Sequence, residues 1–146
     1  MKQFLFATDN DWAGLVLRLT VGLILFPHGA QKLLGWFGGP GISGIMEWLT
    51  QVVKLPWIVA AAVVLIEFAG ALAIIAGVGT RFWAVAVIGL MVGIVLTSHL
   101  QNGFFMNWEG SKSGEGYEYH LLMIGLSLGL LILGGGRYSV DRLLMD

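Results

Sequence analysis

WAGLVLRLTVGLILFPHGAQK, residues 12–32, is an apolar run as long as a bilayer's hydrocarbon core is thick. A helix rising about 1.5 Å per residue needs roughly 20 residues to cross about 30 Å. The stretch carries one arginine, Arg18, one histidine, His28, and a lysine, Lys32, at its end. Its neighbours repeat the pattern. Further apolar runs lie at about 56–77, 82–100 and 119–133, and the chain as a whole is 57% hydrophobic and 12% charged, with a mean hydropathy of +0.82. A soluble domain carries about twice that charged fraction. The reading is an all-α polytopic membrane protein: a four-transmembrane-helix bundle forming one membrane domain over residues 1–146. The first run follows Asp9 and Asp11 and lacks a small-residue cleavage site, so it is expected to be a retained span.

Between the first two spans, Gly38-Gly39-Pro40-Gly41 marks a turn. Ile42, Ile45, Met46, Leu49, Val52 and Val53 then recur at helical spacing, predicting a short interfacial amphipathic helix. Gly77 to Arg81 predicts a tight hairpin, and Gln101 to Glu118 a polar, Gly-rich loop. The basic residues Lys2, Arg81, Arg137 and Arg142 against Lys32, Lys54 and Lys112 favour both termini inside.

Ionisable groups are costly within spans, so they are the candidates for function. Arg18 and Glu67 map to similar depth, which predicts a buried ion pair or proton path between them. Gly14, Arg18, Gly22, Leu25, Gly29 and Lys32 share one helical face. Ala60, Val63, Gly70, Ala71 and Ile74 share the face of Glu67, and Gly125 and Gly129 repeat the small-residue theme on the last span. His28, His99 and His120 converge at the outer ends of three spans, and Pro27 is expected to kink the helix beside His28. His28, Glu67 and His99 are therefore the catalytic candidates, as proton carriers. Lys32, Glu118, Tyr119 and His120 complete an outer pocket, although His120 alone reads as a hydrated interfacial side chain.

Several chemistries are bounded at this stage. The chain has no cysteine, which excludes a dithiol relay and a cysteine-ligated iron–sulfur cluster. A haem between His28 and His99, or a metal held by His28, His99, His120 and Glu118, remains open but is demanded by no spacing. Phosphate-binding loops are absent, and a net charge of -1 argues against nucleic acid.

In order and spacing the chain resembles the DoxX-like small membrane proteins. The likeness runs through Arg18, His28-Gly29 and Lys32, then Glu67-Phe68-Ala69-Gly70 and Gly77-Val78-Gly79-Thr80-Arg81. It continues in His99 near Gly103-Phe104-Phe105, in Gly116-Tyr117-Glu118-Tyr119, and in Gly134-Gly135-Gly136-Arg137-Tyr138-Ser139-Val140-Asp141. The resemblance implies a multi-pass protein of a bacterial or archaeal cytoplasmic membrane. Its better-known relatives are subunits of a thiosulfate:quinone oxidoreductase or are linked to quinone and oxidative stress. It therefore implies a quinone-linked oxidoreductase subunit or accessory, partnered by the lipid bilayer and by a redox subunit or further copies of itself. The alternatives are a membrane scaffold and a small-molecule-binding or transport protein. Twenty-two glycines suit close packing in any of these.

Overall fold

The computed structural model describes residues 6–145, so Lys2 of the basic-residue balance lies outside the described residues. Among the described residues five helices carry the fold: α1 (Trp12–Leu34), α2 (Gly41–Glu47), α3 (Trp57–Ala76), α4 (Thr80–Asn102) and α5 (Glu118–Leu133), followed by the single turn α6 (Val140–Leu143). α1, α3 and α4 are long and apolar enough to cross a membrane, and α5 is a shorter apolar helix. Trp12, the α3–α4 hairpin and the segment after α5 sit at one end, called here the termini end. α2 and the loop before α5 sit at the far end.

Local rules set the boundaries. Asp11 caps α1 by accepting a 2.6 Å hydrogen bond from the Gly14 N–H. Gly35, at φ 72°, ends the helix in the left-handed conformation. α1 stays helical across Pro27. α2 runs on as a π-helical turn, Trp48–Val52, and buries Ile45 and Leu49 against Ala60 and Val64 of α3.

The central core joins Val21 and Leu25 of α1, Ala71 and Ile74 of α3, Ala84, Val87, Leu90 and Met91 of α4, and Met123 and Leu130 of α5. The face read from sequence on α1 is the buried one: Gly14, Arg18, Gly22, Leu25 and Gly29 all face inward, with Lys32 half-buried at its end. Glycine sets the helix spacing. A side chain on Gly22 would meet Ile75 and the Ala71 carbonyl, and one on Gly29 would strike the peptide of Glu67. On α5 only Gly129 serves in this way, against Leu17, whereas Gly125 faces open space. Gly29→Leu is expected to pry α1 from α3 and cost about 3 kcal/mol, read as a fall in the thermal unfolding midpoint. An unchanged midpoint would mean that the α1–α3 contact adjusts freely.

The predicted Arg18–Glu67 ion pair is not formed. Arg18 donates from Nε to the Gly135 carbonyl at 2.9 Å and from one terminal nitrogen to the carbonyls of Arg137 and Tyr138 at 3.1 and 2.9 Å. Its other terminal nitrogen donates to the carbonyl of Ile75. The reason is the register of the two helices: Gly22 packs on Ala71 and Ile75 and Gly29 on the Glu67 peptide, so Glu67 lies level with Gly29, about 16 Å along α1 from Arg18. The end of α3 is level with Arg18 rather than with Trp12, so depths counted from the span ends do not coincide.

Arg18 is one half of a latch. In the other half, Asp141 accepts from the N–H groups of Gly79 and Thr80 at 2.6 and 2.8 Å, and its own N–H donates to Gly77 at 2.8 Å. The Gly77-to-Arg81 and Gly134-to-Asp141 motifs are therefore two sides of one structural joint.

Candidate functional site

At the far end the structure brings Lys32, Glu67 and His99 onto one cavity of about 430 Å³. This lies within the usual range for small-molecule sites. Gly29 places the first two. With no side chain between α1 and the Glu67 peptide, Lys32 stands less than one helical turn beyond the contact and leans back into the bundle. Its ammonium forms an ion pair with the Glu67 carboxylate. Glu67 is 2% exposed and the Lys32 side chain 22%. The carboxylate is thus sealed, whereas the lysine retains a route to the far-end surface.

The rest of the lining is apolar apart from Thr97 and Ser98 beside His99. Val59, Ala62, Val63 and Ile66 of α3 face Ala86, Gly89, Leu90 and Gly93 of α4. Trp48, Leu49, Val53 and Leu55 close the far end. All three π-helical turns among the described residues contribute to this lining: Trp48–Val52 in the roof, Ile66–Gly70 at Glu67, and Val95–His99 at the histidine. An inserted residue rotates the helix after it, and such turns gather at functional sites. Here two of them carry Glu67 and His99.

His99 has a defined tautomer. Its Nδ1 lies 2.9 Å from the Glu115 carbonyl. A carbonyl only accepts, so Nδ1 carries the hydrogen and the neutral ring keeps the Nε2 lone pair for a ligand. Asn102 donates to the same carbonyl at 2.9 Å. The loop around them is knitted by backbone bonds from Tyr117 to Gly103 and from Glu118 to Phe104, at 3.2 and 2.9 Å.

The other site candidates lie elsewhere. His28 is exposed and off the cavity, with its ring 6.4 Å from that of Tyr119. Glu118 leaves the pocket to accept from the Met106 N–H at 2.9 Å. Contrary to its reading as a hydrated side chain, His120 is 6% exposed, because the loop folds over it. Its ring lies 4.4 Å from that of His99, tilted, and 5.4 Å from that of Tyr119, edge to face. The His120 Nδ1 and the Tyr119 hydroxyl are buried without a hydrogen-bond partner, which places a polar lobe behind His99. No three His, Asp or Glu side chains among the described residues are placed to hold a metal ion. His99 meets His120 rather than facing His28 across a gap that a haem could fill.

The sequence reading missed the α4 wall and the roof. Gly89 and Gly93, small residues on an outward face, were the available signal.

The comparisons agree with this architecture. The family model named DoxX matches residues 13–100. The chain is 33% identical over 135 residues to "Inner membrane protein YqjF" of Escherichia coli (strain K12), covering 92% of this chain and 94% of that protein. It is 28% identical over 116 residues to "Putative oxidoreductase CatD" of Bacillus subtilis (strain 168), covering 80% and 76% respectively. No solved structure matches the chain.

Proposed function

The chain belongs to the DoxX family, and from that premise we propose that it is the quinone-binding subunit or accessory of an oxidoreductase in a bacterial or archaeal cytoplasmic membrane. The observation that carries this reading is the cavity itself, an apolar chamber among membrane helices with an ion pair and a histidine in its lining. That division matches a molecule with an apolar body and two hydrogen-bonding ring oxygens. The relative named as an oxidoreductase supports the reaction class.

Reduction of one quinone takes two electrons and two protons and gives a quinol. With no cysteine the chain offers neither a dithiol nor a cysteine-ligated cluster, so the electrons come from a bound cofactor or from a redox centre on a partner subunit. The protons are the chain's own contribution. His99, its ring held by the Nδ1–H bond to the Glu115 carbonyl, takes up one proton at Nε2 and passes it from there to one ring oxygen. Lys32 delivers the other, replenished through its exposed face, while Glu67 holds the ammonium in place.

The test is to purify the protein in mild detergent, extract bound lipophiles and identify them by mass spectrometry, then titrate quinone into lipid-stripped protein. Saturable quinone binding, weakened about tenfold in His99→Ala by loss of one hydrogen bond to a charged group, is the expected result. Lipid-stripped protein that binds no quinone would overturn the proposal.

A further inference from the structure

We infer that the ligand enters this cavity sideways from the bilayer, between α3 and α4, and lies with a long apolar chain along Gly89 and Gly93. The inference rests on the cavity being a ligand site, and it adds the ligand class and the route: an isoprenoid- or acyl-tailed amphiphile already dissolved in the membrane.

The geometry begins at the hairpin. α3 and α4 are joined by three residues, Gly77 to Gly79, and stay in contact as far as Gly70. There a side chain would come within 2.7 Å of the Trp83 ring. Beyond that contact the first half of α3 leaves α4, and the cavity occupies the space between them.

The α4 wall is cut away. Gly89, Gly93 and Thr97 follow one another at four-residue spacing, so they form one stripe. All three are exposed, and nothing lies within 4 Å of where a Cβ would stand on Gly89 or Gly93. In a membrane this face meets acyl chains rather than water. The stripe is therefore a mouth, not a packing seam, and the chamber behind it continues to Lys32, Glu67 and His99.

The lining then dictates the occupant. The charged lining is confined to the Lys32–Glu67 pair, with Glu67 2% exposed, while the opposed walls from Val59 to Ile66 and from Ala86 to Ile94 offer nothing that bonds a polar group. Ala86 to His99 spans about 20 Å along α4, far more than a single ring needs. A water-soluble solute would leave most of that wall unmatched. A tailed amphiphile matches it end to end, with its head at the ion pair and its chain leaving through the mouth.

The five residues Gly89 to Gly93 also have the spacing at which transmembrane helices pair closely. A second copy seated there would cover the mouth, so the test separates the two occupants.

Wild type, Gly93→Leu and the double variant Gly89→Leu, Gly93→Leu are reconstituted in nanodiscs. Two probes are titrated, a long-tailed isoprenoid quinone and the same ring bearing a methyl group in place of the tail, and native mass spectrometry records bound lipids and oligomeric state. Leucine is expected to weaken the long-tailed probe about tenfold or more and the tail-less ring by less than about threefold. Equal weakening of both probes, or of neither, overturns the inference, as does a dimer in wild type that Gly93→Leu converts to monomer. If no quinone binds but another tailed lipid co-purifies and is lost in Gly93→Leu, the lateral route stands and the quinone reading falls. If quinone binds and both probes ignore the leucines, the quinone reading stands and the lateral route falls.

Discussion

Arg18→Leu is expected to cost about 4 kcal/mol or more and to lower the thermal midpoint by about 10 °C. The guanidinium is 3% exposed and serves four carbonyls, those of Ile75, Gly135, Arg137 and Tyr138, which belong to two segments otherwise far apart in the chain. Hydrogen bonds to a charged donor contribute about 1.5–3 kcal/mol each, though not additively within one cluster. Leucine fills part of the volume but leaves four acceptors unpaired beside apolar helices, which is the costly half of the change. Arg18→Lys should fare little better, because one ammonium cannot span a fork of acceptors on both sides of the side chain. The unfolding midpoint of purified protein, followed by tryptophan fluorescence, reads the effect. A midpoint within about 2 °C of wild type would mean that the segment after α5 is held to the bundle by something other than this latch. Ligand binding at the far end is expected to survive in whatever fraction folds, since Arg18 lies outside the cavity lining.

The same arginine shows where sequence reading stops. Span length and the 100° periodicity of α1 depend only on local order, so the helices and the buried face of Gly14, Arg18, Gly22, Leu25 and Gly29 were legible. The partner of Arg18 was not. Depth counted from the ends of apolar runs assumes that those ends are level, and here they are staggered, with the end of α3 packed against Arg18 and Glu67 level with Gly29. His120 was misread for a different reason. It is buried by a loop whose closure depends on the Tyr117–Gly103 and Glu118–Phe104 bonds, and no periodicity encodes contacts of that kind. The cavity was hidden by the solvent. In water an apolar face marks the core, but in a membrane the lipid-facing, core-facing and cavity-facing positions of α3 and α4 are all apolar. The two π-helical turns that carry Glu67 and His99 leave no compositional trace either.

Lys32→Met should destabilise the protein by about 3–5 kcal/mol, whereas Glu67→Gln should cost clearly less, although each variant breaks the same ion pair. The asymmetry follows from burial. Without Lys32 the Glu67 carboxylate is stranded at 2% exposure with no route to water. Without Glu67 the ammonium of Lys32, whose side chain is already 22% exposed, can swing to the far-end surface and be hydrated there. The double variant Lys32→Met, Glu67→Met removes both charges and should recover most of the loss, because an apolar pair of similar volume replaces a buried ion pair at little cost. Unfolding in nanodiscs measures the three stabilities, and equal losses in the two single variants would contradict this placement of the pair. Binding discriminates where stability does not. If the pair only orders the bundle, the recovered double variant binds the quinone as wild type does. If it is the polar anchor of the cavity, that variant is stable and empty, and this second outcome is the one expected, because Lys32 and Glu67 are the charged side chains of the lining.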